Sequence, residues 1–132
     1  MRVMPDTNIL ISAGLFPSSH LAKTLMDIAD VHTLVISTRI IAEMQRVVDM
    51  KFPQKKMVLD KFLCNLSFEV AYTPSEIDKS YPTIRDEKDY PILASALIAD
   101  VDVFITGDKD FSALVIERPE ILTITEFERV YM

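Results

Sequence analysis

Short apolar runs alternate along this chain with longer segments whose apolar residues recur every three or four positions, which predicts strands and helices in turn. Val3-Met4 leading into Pro5-Asp6-Thr7-Asn8 reads as a short first strand ending in a polar turn, and Ile9-Leu10-Ile11 opens a helix. Ser18-Ser19 stands where it can cap a second helix with Leu21, Leu25, Ile28 and Ala29 at helical spacing. Thr33-Leu34-Val35-Ile36-Ser37 is β-branched enough for a buried strand. Ser37 or Thr38 then caps a helix through Ile40, Ile41, Met44, Val47 and Val48, and residues 57–66 form another amphipathic segment after Pro53. Two short strands, Phe68-Glu69-Val70-Ala71-Tyr72 and Val103-Phe104-Ile105-Thr106, flank a helix over residues 89–100 that carries Ile92, Leu93, Ala96, Leu97 and Ile98. Leu122-Thr123-Ile124 is β-like, and Thr125 and Glu128 stand in capping-box relation at the start of a last helix.

Strands separated by helices imply an α/β fold, because parallel neighbours need crossover connections that cover both faces of the sheet. The expectation is three α/β/α layers around a mostly parallel central sheet. Ligands of such sheets gather beyond the carboxyl ends of the strands. The most polar stretch, residues 74–88, reads as a helix-loop insertion, and neither a repeat nor a linker interrupts the chain, so residues 1–132 are expected to form one domain.

Composition narrows the chemistry. With 49% hydrophobic residues and only 2 Gly, the chain has the makings of a dense core and no flexible linker. Cys64 is the single cysteine, which excludes an intramolecular disulfide, and beside Phe62, Leu63 and Leu66 it reads as a small buried hydrophobe. His20 and His32 lie too far apart, without ligand spacing, for a zinc site. A net charge of −6 has the wrong sign for holding nucleic acid by overall charge, so such a role would rest on bound cations or a local basic rim. No stretch approaches the roughly 20 apolar residues of a membrane span, and Asp6 to Asn8 interrupt the first apolar run too early for a secretory leader; a cytoplasmic protein is expected.

Four acids then stand out. Asp6 follows the first strand and Asp108 follows Val103 to Thr106. Glu43 lies in the first turns of the helix after Ser37, and Asp89 holds the cap position before Pro91-Ile92-Leu93. In a parallel sheet all four converge on one edge. Carboxylates brought together repel unless their pKa values rise or cations bind, and hard oxygen donors suit Mg²⁺ or Mn²⁺. Each acid also has an ordinary structural reading: Asp6 and Asp89 as helix caps, Glu43 on a solvated helix face, Asp108 as a turn residue. The case is cumulative.

At these residues the sequence resembles the PIN-domain family, and more closely the VapC-like toxins of bacterial and archaeal toxin-antitoxin pairs. The elements are the opening VMPDTNILIS, the helix with IIAEMQRV, the segment RDEKDYPILASALIADVDVFITGDKDF and the closing TITEFERVYM, in family order. The resemblance implies a metal-dependent ribonuclease that hydrolyses RNA phosphodiester bonds. Asp6, Glu43, Asp89 and Asp108 would be its metal ligands, Asn8 and Thr106 polar supports, and Asp86 and Asp110 outer or alternative ligands. It further implies an antitoxin protein wrapping the apolar helices, and a homodimer. Leu21, Leu25, Ile40 and Met44 fit either core or interface, with the core favoured, and Arg39, Arg85, Lys88 and Lys109 are candidates for the basic rim. Pro5 departs from the family pattern, which usually has an apolar residue there able to donate a strand hydrogen bond, and this predicts an early end to the first strand. The competing reading is a catalytically inactive PIN-like interaction module. A phosphate-accepting receiver domain fits less well, since it needs an Asp directly after the third strand, where this chain has Thr73-Pro74-Ser75.

Overall fold

A computed structural model describes residues 1–73, 90–112 and 116–132. Its elements run β1 (Arg2–Pro5), α1 (Thr7–Leu15), α2 (His20–Val31), β2 (Thr33–Ser37), α3 (Thr38–Lys51), a 3-10 turn (Pro53–Lys55), α4 (Lys56–Asn65), β3 (Glu69–Ala71), α5 (Tyr90–Ile98), β4 (Val103–Ile105), α6 (Lys109–Ser112), β5 (Glu120–Leu122) and α7 (Ile124–Tyr131). The five strands form one sheet in the order β3-β2-β1-β4-β5, and every pairing is parallel. Val3, Met4, Val35, Ile36, Phe104 and Ile105 are fully buried although neighbours along a strand point to opposite faces. A sheet apolar on both faces must be covered on both, and the fold is the expected three-layer α/β/α arrangement.

Strand order places the site. From β1 the chain steps to β2 and then β3 in one direction, and it returns to β4 and β5 on the other side of β1. The seam between β1 and β4 is therefore a topological switch point, where the connections leaving the two strands diverge and open a crevice at their carboxyl ends. Asp6 follows β1 directly and Thr106 follows β4 directly. The register Pro5↔Ile105 brings these two residues side by side.

Local signals account for most helix starts. Ser19 and Ser37 accept the N–H groups of Ala22 and Ile40, as expected for caps of α2 and α3. α5 ends with Asp100 at φ 54, and the N–H groups of Asp100 and Val101 bond back to the carbonyls of Leu97 and Ala96, a Schellman closure that turns the chain into β4.

Three expectations are corrected. β1 does not stop before Pro5: it pairs with β4 through Pro5, because the ladder continues on the Asp6 N–H, which donates to Ile105 O at 2.9 Å, while pairing with β2 has already ended at Val3↔Leu34. The last helix is capped two residues earlier than expected. Thr123, not Thr125, forms the capping box, with Glu126, and the strand before it is Glu120–Leu122. Cys64 is exposed, since α4 buries the face of Leu59 and Phe62 and Cys64 points away from it. The choice between core and interface falls to the core, as favoured, for Leu25, Ile40 and Met44, which are fully buried, while Leu21 packs against the core only partly buried. The polar stretch 74–88, with Arg85, Asp86 and Lys88, lies outside the described residues, as does Asp89. Among the described residues no helix is long and apolar enough to cross a membrane.

Candidate metal centre

The site is built around the side chain of Asp6. Its backbone leaves β1 in extended conformation to cap α1, and its Oδ1 accepts the N–H of Ile9 at 3.0 Å. Its Oδ2 accepts the hydroxyl of Thr106 from the neighbouring strand end. The Thr106 oxygen in turn accepts the N–H of Asp108 at 3.0 Å, and Asp108 Oδ1 accepts the N–H of Asp110 at 2.9 Å. One threonine thus holds both carboxylate-bearing segments. The capping and site readings of Asp6 are compatible, because each carboxylate oxygen has two lone pairs and each known bond occupies only one.

Glu43 arrives from a different direction. Ser37 starts α3 at the end of β2, and the second turn of that helix brings Glu43 Oε2 to 3.3 Å from the hydroxyl of Thr7. Thr7 is the first residue of α1 and is buried, so it anchors Glu43 next to the residue that carries the Asp6 cap. Asp6, Thr7, Asn8, Glu43 and Asp108 share a cleft of about 30 Å³ with Ile92 and Phe111 as its apolar walls. Thr7, Ile92 and Phe111 were not recognisable as site residues in the sequence; for Thr7 the only signal was adjacency to Asp6. Asn8 lines the cleft as an exposed side chain, and Asp110 supports Asp108 through its backbone N–H.

Electrostatics in the cleft are uneven. Asp6 is only 5% exposed, and burial raises its carboxyl above the ordinary 3.8. The bond from Thr106 and the N–H of Ile9 pull it down, the charge of Asp108 pushes it up again, and the N–H of Asn8 lowers it a little. A buried carboxylate next to a second one is a liability in the bare protein, and a cation would relieve it.

Donor chemistry tests whether a cation fits. Among the described residues no three His, Cys, Asp or Glu side chains stand close enough to hold an ion by themselves. Asp6 and Asp108, joined through Thr106, are two hard oxygen donors at one cleft, with Glu43 on its wall. Mg²⁺ binds through one or two carboxylates and keeps several of its waters, so this donor set fits Mg²⁺ or Mn²⁺ and not the softer Zn²⁺.

Among solved structures, a chain of the VapBC2 crystal structure from Rickettsia felis, bound to a DNA fragment from its promoter, superposes with a TM-score of 0.66 at 23% identity, covering 92% of this chain and 97% of that one. That likeness shows the shared fold. No curated protein sequence matches. The family model for the PIN domain matches residues 2–110, which takes in all of the polar and acidic site residues described above, and the chain belongs to the PIN-domain family.

Proposed function

We propose that residues 1–132 act as one domain, a divalent-metal-dependent endoribonuclease that hydrolyses RNA phosphodiester bonds in the cytoplasm as the toxin of a toxin-antitoxin pair. The observation that carries this reading is the pair Asp6 and Asp108, tied through one threonine at the β1–β4 switch point of a PIN fold. Asp6, Asp108 and Glu43 would hold Mg²⁺ or Mn²⁺, and Asp89, which precedes α5 in sequence, would be the fourth ligand. When bound, the ion supplies an acidified water as nucleophile and neutralises charge on the leaving oxygen.

The chain's own residues do the rest. Thr106 fixes the Asp6 rotamer and the Asp108 backbone, so the two carboxylates need little reorganisation to accept an ion. Thr7 keeps one Glu43 oxygen at the cleft, and the other is free to bind or to take a proton from water. Ile92 and Phe111 add apolar surface to the lining of the cleft, and apolar surroundings strengthen electrostatic interactions. An antitoxin and a second copy of the chain are the proposed partners, supported by the resemblance to VapC-like toxins and by the VapBC2 likeness in fold.

The test is a calorimetric titration of Mn²⁺ into the protein and into an Asp6→Ala/Asp108→Ala variant, followed by incubation of both with mixed RNA, with and without EDTA. Metal binding and EDTA-sensitive cleavage by the wild type alone support the nuclease. A wild type that binds no ion and leaves RNA intact makes the chain an inactive PIN-like interaction module.

A further inference from the structure

Next to the metal cleft lies a second, larger depression of about 300 Å³, lined among the described residues by Arg39, Ala42, Glu43 and Arg46. Glu43 borders both. The four residues sit at i, i+3, i+4 and i+7 of α3, one exposed stripe of the helix. Both arginines are exposed, and neither has an ion-pair or hydrogen-bond partner among the described residues. Of the acids one turn away on α3, Glu43 bonds Thr7, and Asp49, three residues from Arg46, pairs with Lys56.

Two unneutralised guanidinium groups on one stripe are unusual for a chain of net charge −6, whose overall field repels polyanions. Seven residues of helix separate them by about 10 Å along the axis, so the two guanidinium groups can each take a separate phosphate. Ala42 between them keeps the floor low, and a guanidinium fork matches phosphate oxygens. We propose that Arg39 and Arg46 hold two separate phosphates of a single-stranded RNA, so that the strand leaves the metal cleft past Glu43 and runs along α3. The proposal rests on the ribonuclease reading and assigns the path of its substrate. The arginines are positioning residues; they do not touch the reacting phosphate.

The experiment compares wild type, Arg39→Gln/Arg46→Gln and Arg39→Lys/Arg46→Lys. Binding of a fluorescein-labelled oligouridylate is followed by anisotropy in EDTA over a range of monovalent salt, and cleavage is followed in Mn²⁺. Each phosphate contact to a single strand contributes about 0.7 to the slope of log affinity against log salt. The Gln variant is therefore expected to lose about 1.4 of that slope and to raise KM tenfold or more with kcat nearly unchanged, while the Lys variant keeps most of the slope. Mn²⁺ affinity in calorimetry stays at the wild-type value, which excludes damage to the metal centre. An unchanged slope and KM in the Gln variant overturns the proposal while leaving the nuclease intact. Salt-dependent, arginine-dependent binding without cleavage supports the strand path and removes the catalytic reading instead. A polyglutamate peptide included in parallel gives the remaining outcome: arginine-dependent binding of the peptide with no binding of RNA assigns the stripe to an acidic protein and overturns it.

Discussion

Thr106 and Asp6 are joined across the seam of β4 and β1, and the oxygen with which Thr106 donates to Asp6 also accepts the Asp108 N–H at 3.0 Å. At 2% exposure this hydroxyl has no water to replace either bond. Thr106→Val keeps the shape and removes both bonds, leaving a buried acceptor and a part-buried donor unpaired, at a cost of about 1–3 kcal/mol in stability. Outer-shell supports of metal ligands are typically worth about 10–100-fold in affinity. Weaker Mn²⁺ binding by that factor is expected in calorimetry, with Thr106→Ser close to wild type; equal affinity in the Val variant would show that Thr106 does not organise the centre.

Asp6 makes the bare protein less stable at neutral pH than it would otherwise be. Its pKa in the fold is raised, chiefly by burial, so its contribution to stability is fully present below the unfolded value near 3.8 and is lost as pH rises through the higher folded value. Asp6→Asn removes the charge and keeps one oxygen to accept the Ile9 N–H, while its NH₂ replaces Oδ2 and can donate to the Thr106 hydroxyl oxygen once that hydroxyl rotates. In EDTA the variant is expected to melt above the wild type at pH 7, with the difference shrinking as pH falls towards 3.8. Added Mn²⁺ should reverse the order, since only the wild type gains from ion binding. Thermal melts at several pH values, with and without the ion, check both halves.

How much of this was legible depended on range. Ser19, Ser37 and the run Thr33–Ser37 act within a few residues, and helix caps and strand came out where the pattern put them. Asp6 and Asp108 were legible as strand-end acids because a parallel sheet sends all its strand ends to one edge. The bond from Thr7 to Glu43 spans 36 residues, and no periodicity encodes such a pairing. At the last helix two overlapping motifs, Thr123 with Glu126 and Thr125 with Glu128, satisfied the same capping pattern. The choice was made by tertiary contact: Glu128 is taken by His20 and Thr24 of α2, which leaves Glu126 for the cap. Cys64 misled because its neighbours in sequence are apolar, whereas burial on a helix follows the neighbours three and four away.

Gly14 lets α1 approach α4. A Cβ built there would lie 2.1 Å from Leu59 Cδ1, and Leu59 is itself buried in the core. Alanine would gain about 0.5–1 kcal/mol of helix propensity, but displacing a buried leucine costs about 1–3 kcal/mol. Gly14→Ala is therefore expected to be net destabilising in urea denaturation. Leu59→Ala leaves a cavity next to that methyl, so the double variant should be more stable than the sum of the two single losses predicts. Strict additivity would mean the two sites do not touch.

Glu128 should show the opposite pH dependence to Asp6. Its carboxylate lies 3.1 Å from His20 Nε2 and accepts the Thr24 hydroxyl at 3.1 Å, tying α7 to α2. The bond to His20 is the main reason its pKa lies below the ordinary 4.5; burial opposes it, and the Thr24 bond and the His20 charge lower it further. A lowered folded pKa contributes stability that is present above 4.5 and disappears as pH falls through the folded value. His20 is mostly exposed, so solvent screens the pair and the contribution should stay under about 1 kcal/mol. Glu128→Gln is accordingly expected to be slightly less stable than wild type at pH 7 and indistinguishable from it in acid below the folded pKa. Urea denaturation across that window decides the point: a deficit that stays constant with pH would assign it to packing of α7 and not to the charge.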